Sequence, residues 1–267
     1  MLCSSPMDPR PVGIFDSGVG GLSVLRALRQ LAPHERLVYF ADTAFFPYGP
    51  RPAAEVRKRA FAVVHRLLAS DVKLVVVACN TASAAAIADL REAFPVPFVG
   101  MVPGLKPAVG SSPNRHVAIL ATEGTLDGEL YSRVVDDFGR GTLIDNIPGP
   151  GLAELVEHGS CGTDAARAAV RRALAPAVSA GADTVVLGCT HYAFLAPDIR
   201  AEFPGVAIVD TGEAVARRVL QVLAENGLEA PSHSAGELDL IVSGDRDRFR
   251  ETMRRLGFAS DLTGATP

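Results

Sequence analysis

The chain has 267 residues, 48% of them hydrophobic and 21% charged, and a formal net charge of −4. That is enough apolar surface for one large core or two modest ones, and the slight acidic excess lacks the basic surplus that phosphate-backbone binding needs, so nucleic acid is not an expected ligand. The opening stretch MLCSSPMDPR has no apolar leader core, and no run of about 18 apolar residues occurs after it, so neither export signal nor membrane span is expected and the expected location is the cytoplasm.

Short aliphatic runs then alternate with amphipathic segments of helical length, the pattern of an α/β fold with mostly parallel sheets. The predicted strands are VGIFD (12–16), LVYFA (37–41), LVVVA (74–78), PFVGM (97–101), VAILA (117–121), TLIDN (142–146), TVVLG (184–188), VAIVD (206–210) and LDLIV (238–242). Nearly all lack polar alternation, as strands covered by helices on both faces do. Between them, Val56, Ala60, Val63 and Leu67 recur at helical spacing, as do Ala166, Val170, Leu174 and Ala177, while Pro52 and Thr163 suit helix starts. These stripes are core positions.

The two halves rhyme. VVVACNTASA (75–84) is echoed by VVLGCTHYAF (185–194), each a β-branched strand running into a Cys and a Thr. VGIFDSGVGG opens the first half, and VAILATEGTL (117–126) holds the matching place, with Thr122 where the first half has Asp16. In open α/β sheets ligands sit beyond the carboxyl ends of the strands, so two such halves facing each other would aim Cys79 and Cys189 into one cleft. Cys3, Cys79, Cys161 and Cys189 form no CxxC pair, which argues against a zinc knuckle and, in a reducing compartment, against structural disulfides. All four are expected as free thiols, and for a lone Cys inert core filling is the ordinary reading.

A thiol at the first turn of a helix has its thiolate stabilised by the macrodipole and by unpaired N–H groups, which should lower its pKa from about 8.5. One Cys with His191 as base would suit covalent catalysis. Two in equivalent frames suit a symmetric task better, the inversion of a stereocentre by a base on one face of a carbon acid and an acid on the other. The turn DSGVGGLS (16–23) lies between a strand and a helix, the setting of an anion cradle, yet it is neither a P-loop nor a dinucleotide fingerprint, because Ser23 stands where the third Gly would be. Its amides and Ser17 suit a carboxylate; a tight turn without any ligand is the alternative.

The segments GIFDSGVGGLSVLRAL (13–28), YFADTAFFPYGPRP (39–52), VVVACNTASA, GMVPGLKPAV (100–109), LATEGTL (120–126), LGCTHYAFL (187–195) and IVDTGEAVARRV (208–219), in this order across nearly the whole chain, closely resemble the glutamate racemases. The resemblance implies a cofactor-independent racemase of two pseudo-symmetric α/β domains, residues 1–99 plus 209–267 and residues 100–208, with the active site in the cleft between them. It implies that Cys79 removes the α-proton of D-glutamate and Cys189 that of L-glutamate, with Asp16 and His191 assisting. Substrate contacts are implied for Asp16, Ser17, Tyr48, Gly49, Asn80, Thr81, Thr190 and His191, although Tyr48, in a loop of Pro and aromatics, would equally order the entrance. Glu157 and Thr122 are further candidates. The resemblance also implies D-glutamate supply for peptidoglycan, no metal and no cofactor, and a homodimer is expected.

This chain departs from the family pattern at Ala193, where Pro is common, at Ala41, where Gly is frequent, and at Gly149, where Cys is common. Cys3 and Cys161 match no motif, and the tail beyond Ala259 is expected to fray. Aspartate and hydantoin racemases and maleate isomerase would use paired cysteines similarly, but the DSGVGGL and PYG loops favour glutamate. A two-lobed solute-binding protein would need no matched cysteines. A pyridoxal-phosphate racemase would need a Schiff-base Lys, and no motif marks Lys73 or Lys106 for that role.

Overall fold

The computed structural model describes residues 7–259; Cys3 and the tail beyond Ala259 lie outside the described residues. All nine predicted strands form: β1 (Val12–Asp16), β2 (Leu37–Ala41), β3 (Leu74–Val77), β4 (Phe98–Val99), β5 (His116–Ala121), β6 (Leu143–Pro148), β7 (Thr184–Gly188), β8 (Ala207–Val209) and β9 (Leu238–Val242). They make two sheets, ordered β4-β3-β1-β2-β9 and β6-β5-β7-β8. Every pairing is parallel. Taken from its other edge, the second sheet runs β8-β7-β5-β6, so it repeats the first with β9 left over, and the duplication legible in the sequence is a duplication of topology.

Parallel neighbours need a crossover, and here helices supply it, covering both faces of the central strands. β1, β2, β3, β5 and β7 are accordingly buried along their whole length. β6 and β8 are edges and partly exposed. β6 extends two residues further than predicted, to Pro148, which an edge position tolerates because its missing N–H has no ladder partner to lose. β4 is shorter than predicted, because the chain leaves the sheet at Gly100, where a Cβ would stand 2.9 Å from Ile87 Cγ1.

Both predicted helical stripes are buried. Val56, Ala60, Val63 and Leu67 face inward from the helix Ala53–Leu68, which Pro52 precedes. Ala166, Val170, Leu174 and Ala177 do so from the helix Asp164–Ser179, whose cap is the Thr163 side chain accepting from the Ala166 N–H at 3.2 Å. One apolar cluster joins Val12 and Ile14 of the first sheet to Ala118 and Leu120 of the second through Leu22, Leu152 and Leu195. The sheets therefore share a core instead of hanging on a linker.

Leu174→Ala removes a fully buried side chain from that cluster. Urea unfolding is expected to show about 2–5 kcal/mol less stability, the range for large-to-small core substitutions; a loss under about 1 kcal/mol would mean that the stripe is not core.

Candidate active site

Each sheet ends its two central strands at the same edge. In the first, β1 finishes at Asp16 and β3 leads through Ala78 to Cys79, with the Ala78 N–H bonded to the Phe15 carbonyl at 2.8 Å. In the second, Ala121 pairs with Gly188, so Thr122 and Cys189 leave the sheet together. Cys79 immediately precedes the helix Asn80–Ala93 at φ −142°, ψ 122°, and Cys189 precedes the segment Thr190–Leu195 at φ −144°, ψ 134°. The two thiols share one backbone geometry. They differ in the segment each one leads into, because Thr190–Leu195 is a 3₁₀ helix and not the α-helix that the repeat suggests. Its six residues carry little dipole, so Cys189 depends on side-chain neighbours.

Cys79 and Cys189 both line one cavity of about 150 Å³, lined also by Ser17, Tyr48, Gly49, Thr81, Thr122 and His191. Asp16, Asn80, Thr190 and Glu157, the other sequence candidates, stand behind this wall. Asp16 is fully buried; its Oδ1 accepts from the Gly18 N–H at 2.8 Å and its Oδ2 from the Thr190 hydroxyl at 3.1 Å. The Asn80 amide is buried with neither Oδ1 nor Nδ2 hydrogen-bonded. Thr81 meets Thr122 across the cleft, Oγ1 to Oγ1 at 2.9 Å, and Thr122 meets Thr125 at 2.9 Å.

The Gly-rich turn does hold a carboxylate, and it is the chain's own. Glu157 Oε1 accepts from the Val19 N–H at 2.6 Å and from His191 Nε2 at 2.7 Å. A Cβ at Gly18 would sit 1.8 Å from that Oε1, and one at Gly20 would sit 2.4 Å from His191 Nδ1, so close approach is what demands glycine here. His191 Nδ1 lies 3.8 Å from Cys189 Sγ, within sulfur hydrogen-bond reach. The ring of Phe46 packs 5.4 Å from the imidazole.

Burial dominates the electrostatics. It pushes the Cys79 thiol well above its ordinary 9.0, and the nearby Asp16 charge pushes the same way, against the N–H groups of Ala82 and Ser17 that favour the thiolate. The expectation of a lowered value from the helix start is therefore corrected, because desolvation outweighs the dipole. Burial likewise raises Asp16. For His191 burial works downward, but the hydrogen bonds to Cys189 and Glu157 and the charge of Asp16 outweigh it and hold the imidazole well above its ordinary 6.5.

Tyr48 lines the cavity with its ring while its hydroxyl points away, donating to Asp42 Oδ2 at 2.6 Å. Asp42 is fully buried and also takes Arg59 Nε at 2.6 Å and the Ser243 hydroxyl at 2.8 Å. These contacts tie the cavity loop bearing Phe46, Pro47, Tyr48, Gly49 and Pro50 to β9 and to the helix Ala53–Leu68. Sequence reasoning missed Asp42, Arg59 and Ser243. An Asp directly after β2, much as Asp16 closes β1, was the available signal for the first, and no local pattern marks the other two. Of the lysines, Lys73 is buried away from the cavity, its Nζ 2.6 Å from Glu35 and 2.7 Å from the Asp8 carbonyl, and Lys106 is exposed.

A family model described as Asp/Glu/Hydantoin racemase matches residues 21–219. The chain belongs to that family. It is 45% identical over 260 residues to the glutamate racemase of Roseiflexus sp. (strain RS-1), covering 96% of each chain. Among solved structures it resembles a glutamate racemase from Thermus thermophilus in complex with β-chloro-D-alanine (41% identity, 94% of each chain, TM-score 0.81). It also resembles Escherichia coli glutamate racemase in complex with L-glutamate and the activator UDP-MurNAc-ala (36% identity, 94% of this chain and 96% of that one, TM-score 0.81). These two glutamate racemases share the fold over nearly the whole of this chain.

Peptide-resolved iodoacetamide labelling across pH reads the Cys79 result directly. A raised pKa keeps the unreactive thiol dominant, so the Cys79 rate is expected to keep climbing beyond pH 9.0, the ordinary thiol value. A plateau below that pH would contradict the dominance of burial.

Proposed function

We propose that the protein is a cofactor-independent glutamate racemase in which Cys79 and Cys189 serve the two faces of the substrate α-carbon. The single observation that carries this is the pair of thiols, alike in backbone setting, lining one small cavity from opposite sheets. The relatives named above are glutamate racemases, which favours glutamate over aspartate or a hydantoin.

For L-glutamate, the Cys189 thiolate takes the α-proton while the Cys79 thiol delivers its own to the opposite face. One proton leaves carbon and one arrives, and the thiolate and thiol exchange places, which readies the enzyme for the D-enantiomer. The high Cys79 pKa suits it to be the proton donor of this direction. Protonated His191, within reach of the Cys189 sulfur and held by Glu157, pairs with the Cys189 thiolate. The α-proton is a weak acid because the adjacent carboxylate is already ionised, so the site must exclude water and aim donors at the charge that builds there. Ser17, Thr81 and the helix-start amides serve as those donors, and the unpartnered Asn80 amide, whose burial costs about 1–3 kcal/mol when unsatisfied, supports a place for it beside a bound ligand. Asp16 assists transfer at Cys79, and Thr122 and Thr190 complete the wall.

The reading extends to two domains, residues 1–99 plus 209–267 and residues 100–208, to a cytoplasmic homodimer, and to supply of D-glutamate for peptidoglycan. What supports these is family membership; in addition, no helix among the described residues is long and apolar enough to cross a membrane.

Pyridoxal-phosphate-free protein incubated with L-glutamate in D2O is expected to accumulate D-glutamate carrying one α-deuteron, read by chiral separation and mass analysis. Cys79→Ser and Cys189→Ser are each expected to lower turnover by about 100- to 10,000-fold, the usual worth of a positioned proton carrier, with unchanged circular dichroism. Absence of both D-product and deuterium uptake, with L-aspartate or a hydantoin exchanging instead, would overturn the glutamate assignment.

A further inference from the structure

Two consecutive residues of the 3₁₀ helix hold opposite ends of one neighbouring segment. His191 Nε2 meets Glu157 at 2.7 Å, at the end of the helix Leu152–Glu157, and the Tyr192 hydroxyl donates to the Gly149 carbonyl at 2.8 Å, just before that helix begins. The stretch Pro148-Gly149-Pro150-Gly151 has no polar side chain with which to fix itself. Beyond Tyr192 it is held by main-chain contacts alone: Pro148 pairs with Ala121 at the end of β6, the Gly149 N–H meets the Ala121 carbonyl at 3.0 Å, the Leu152 N–H meets the Gly149 carbonyl at 3.3 Å and the Leu155 N–H meets the Gly151 carbonyl at 3.2 Å. A six-residue helix has little rigidity of its own, so where Glu157 arrives depends on how both of its ends are held. Its far end is pinned by the Thr252 hydroxyl on the Glu157 carbonyl at 2.9 Å.

Space at Gly149 is limited by the same residue. A Cβ there would stand 2.7 Å from Tyr192 Oη and 2.9 Å from Leu152 Cδ1. Tyr192 is fully buried, and its hydroxyl fills the volume that a side chain at 149 would take.

We propose that Tyr192 is a positioning residue for the Glu157–His191 pair, acting through the Gly149 carbonyl, and that glycine at 149 is the other half of the same fit. This rests on the racemase reading for its effect on turnover, but not for its effect on His191. The ionisable groups facing that imidazole are Cys189 on its own segment, Glu157 from the helix Leu152–Glu157, Asp16 from β1 and, further off, Cys161. Of these only Glu157 rides on the element that Tyr192 anchors. Loosening the anchor weakens the Glu157 hydrogen bond and lets the imidazole fall toward its ordinary 6.5.

The test is Tyr192→Phe, which keeps the ring in the core and removes only the hydroxyl. Its His191 titration is followed by NMR on histidine-labelled protein, assigned with His191→Asn. The expected result is a His191 pKa lower than in the wild type, with kcat for L-glutamate reduced roughly 10- to 100-fold, the cost of a misplaced proton-transfer group, and KM little changed. Gly149→Ala is expected to lose more, and Gly149→Ala combined with Tyr192→Phe to regain part of that loss, since the hydroxyl in the way has gone. An unshifted His191 titration in Tyr192→Phe would overturn the proposal, whatever Gly149→Ala does and whether or not that protein folds. The titration needs no turnover, so a wild type inactive on glutamate would sink the functional reading and still leave this proposal decided.

Discussion

Parallel strands all release their chain at one edge of the sheet, so residues at the ends of neighbouring strands collect there without further instruction. The site is two uses of that constraint. Asp16 and Cys79 gather at the edge of one sheet, Thr122 and Cys189 at the edge of the other, and the shared core turns the two edges toward each other. The equivalence of the thiols comes from topology: matching strands deliver them in nearly the same φ and ψ. A reaction that must be served from both faces of one carbon fits a scaffold built twice.

What the scaffold does not equalise is charge. Cys79 has a true helix behind it but sits beside the buried Asp16 carboxylate, and desolvation with that neighbour wins over the helix amides. Cys189 has only a short 3₁₀ turn, and its neighbour is an imidazole braced by Glu157, whose hydrogen bond favours the charged form. A symmetric backbone thus carries an asymmetric pair, one thiol held as an acid beside a carboxylate and one beside an imidazole. The Gly-rich turn belongs to the same arrangement, since its glycines leave room for Glu157 and His191.

Much of this was legible in the residues. Continuous β-branched runs located all nine strands, four of them to the residue, because buried parallel strands need no polar alternation to mark them. The repeat around Cys79 and Cys189 pointed to a shared cleft, and Glu157, a further candidate from the family resemblance, bonds Val19 in one half and His191 in the other. Other features have no local signature. Asp42 meets Ser243 from a remote part of the chain, a pairing that only the folded sheet creates. The direction of the Cys79 shift depends on how dry the site is, which no motif reports. The same holds for the 3₁₀ turn after Cys189, where tertiary contacts of His191 and Tyr192 override the helical pattern of the repeat.

The most direct test of two bases on opposite faces is a crystal structure with bound glutamate, in which both sulfur-to-Cα distances are measured. Both sulfurs are predicted to stand about 3–4 Å from Cα, on opposite sides of the plane through its other substituents, the spacing of a group poised for proton transfer. Both on one side, or either one well beyond that range in a closed complex, would contradict the account.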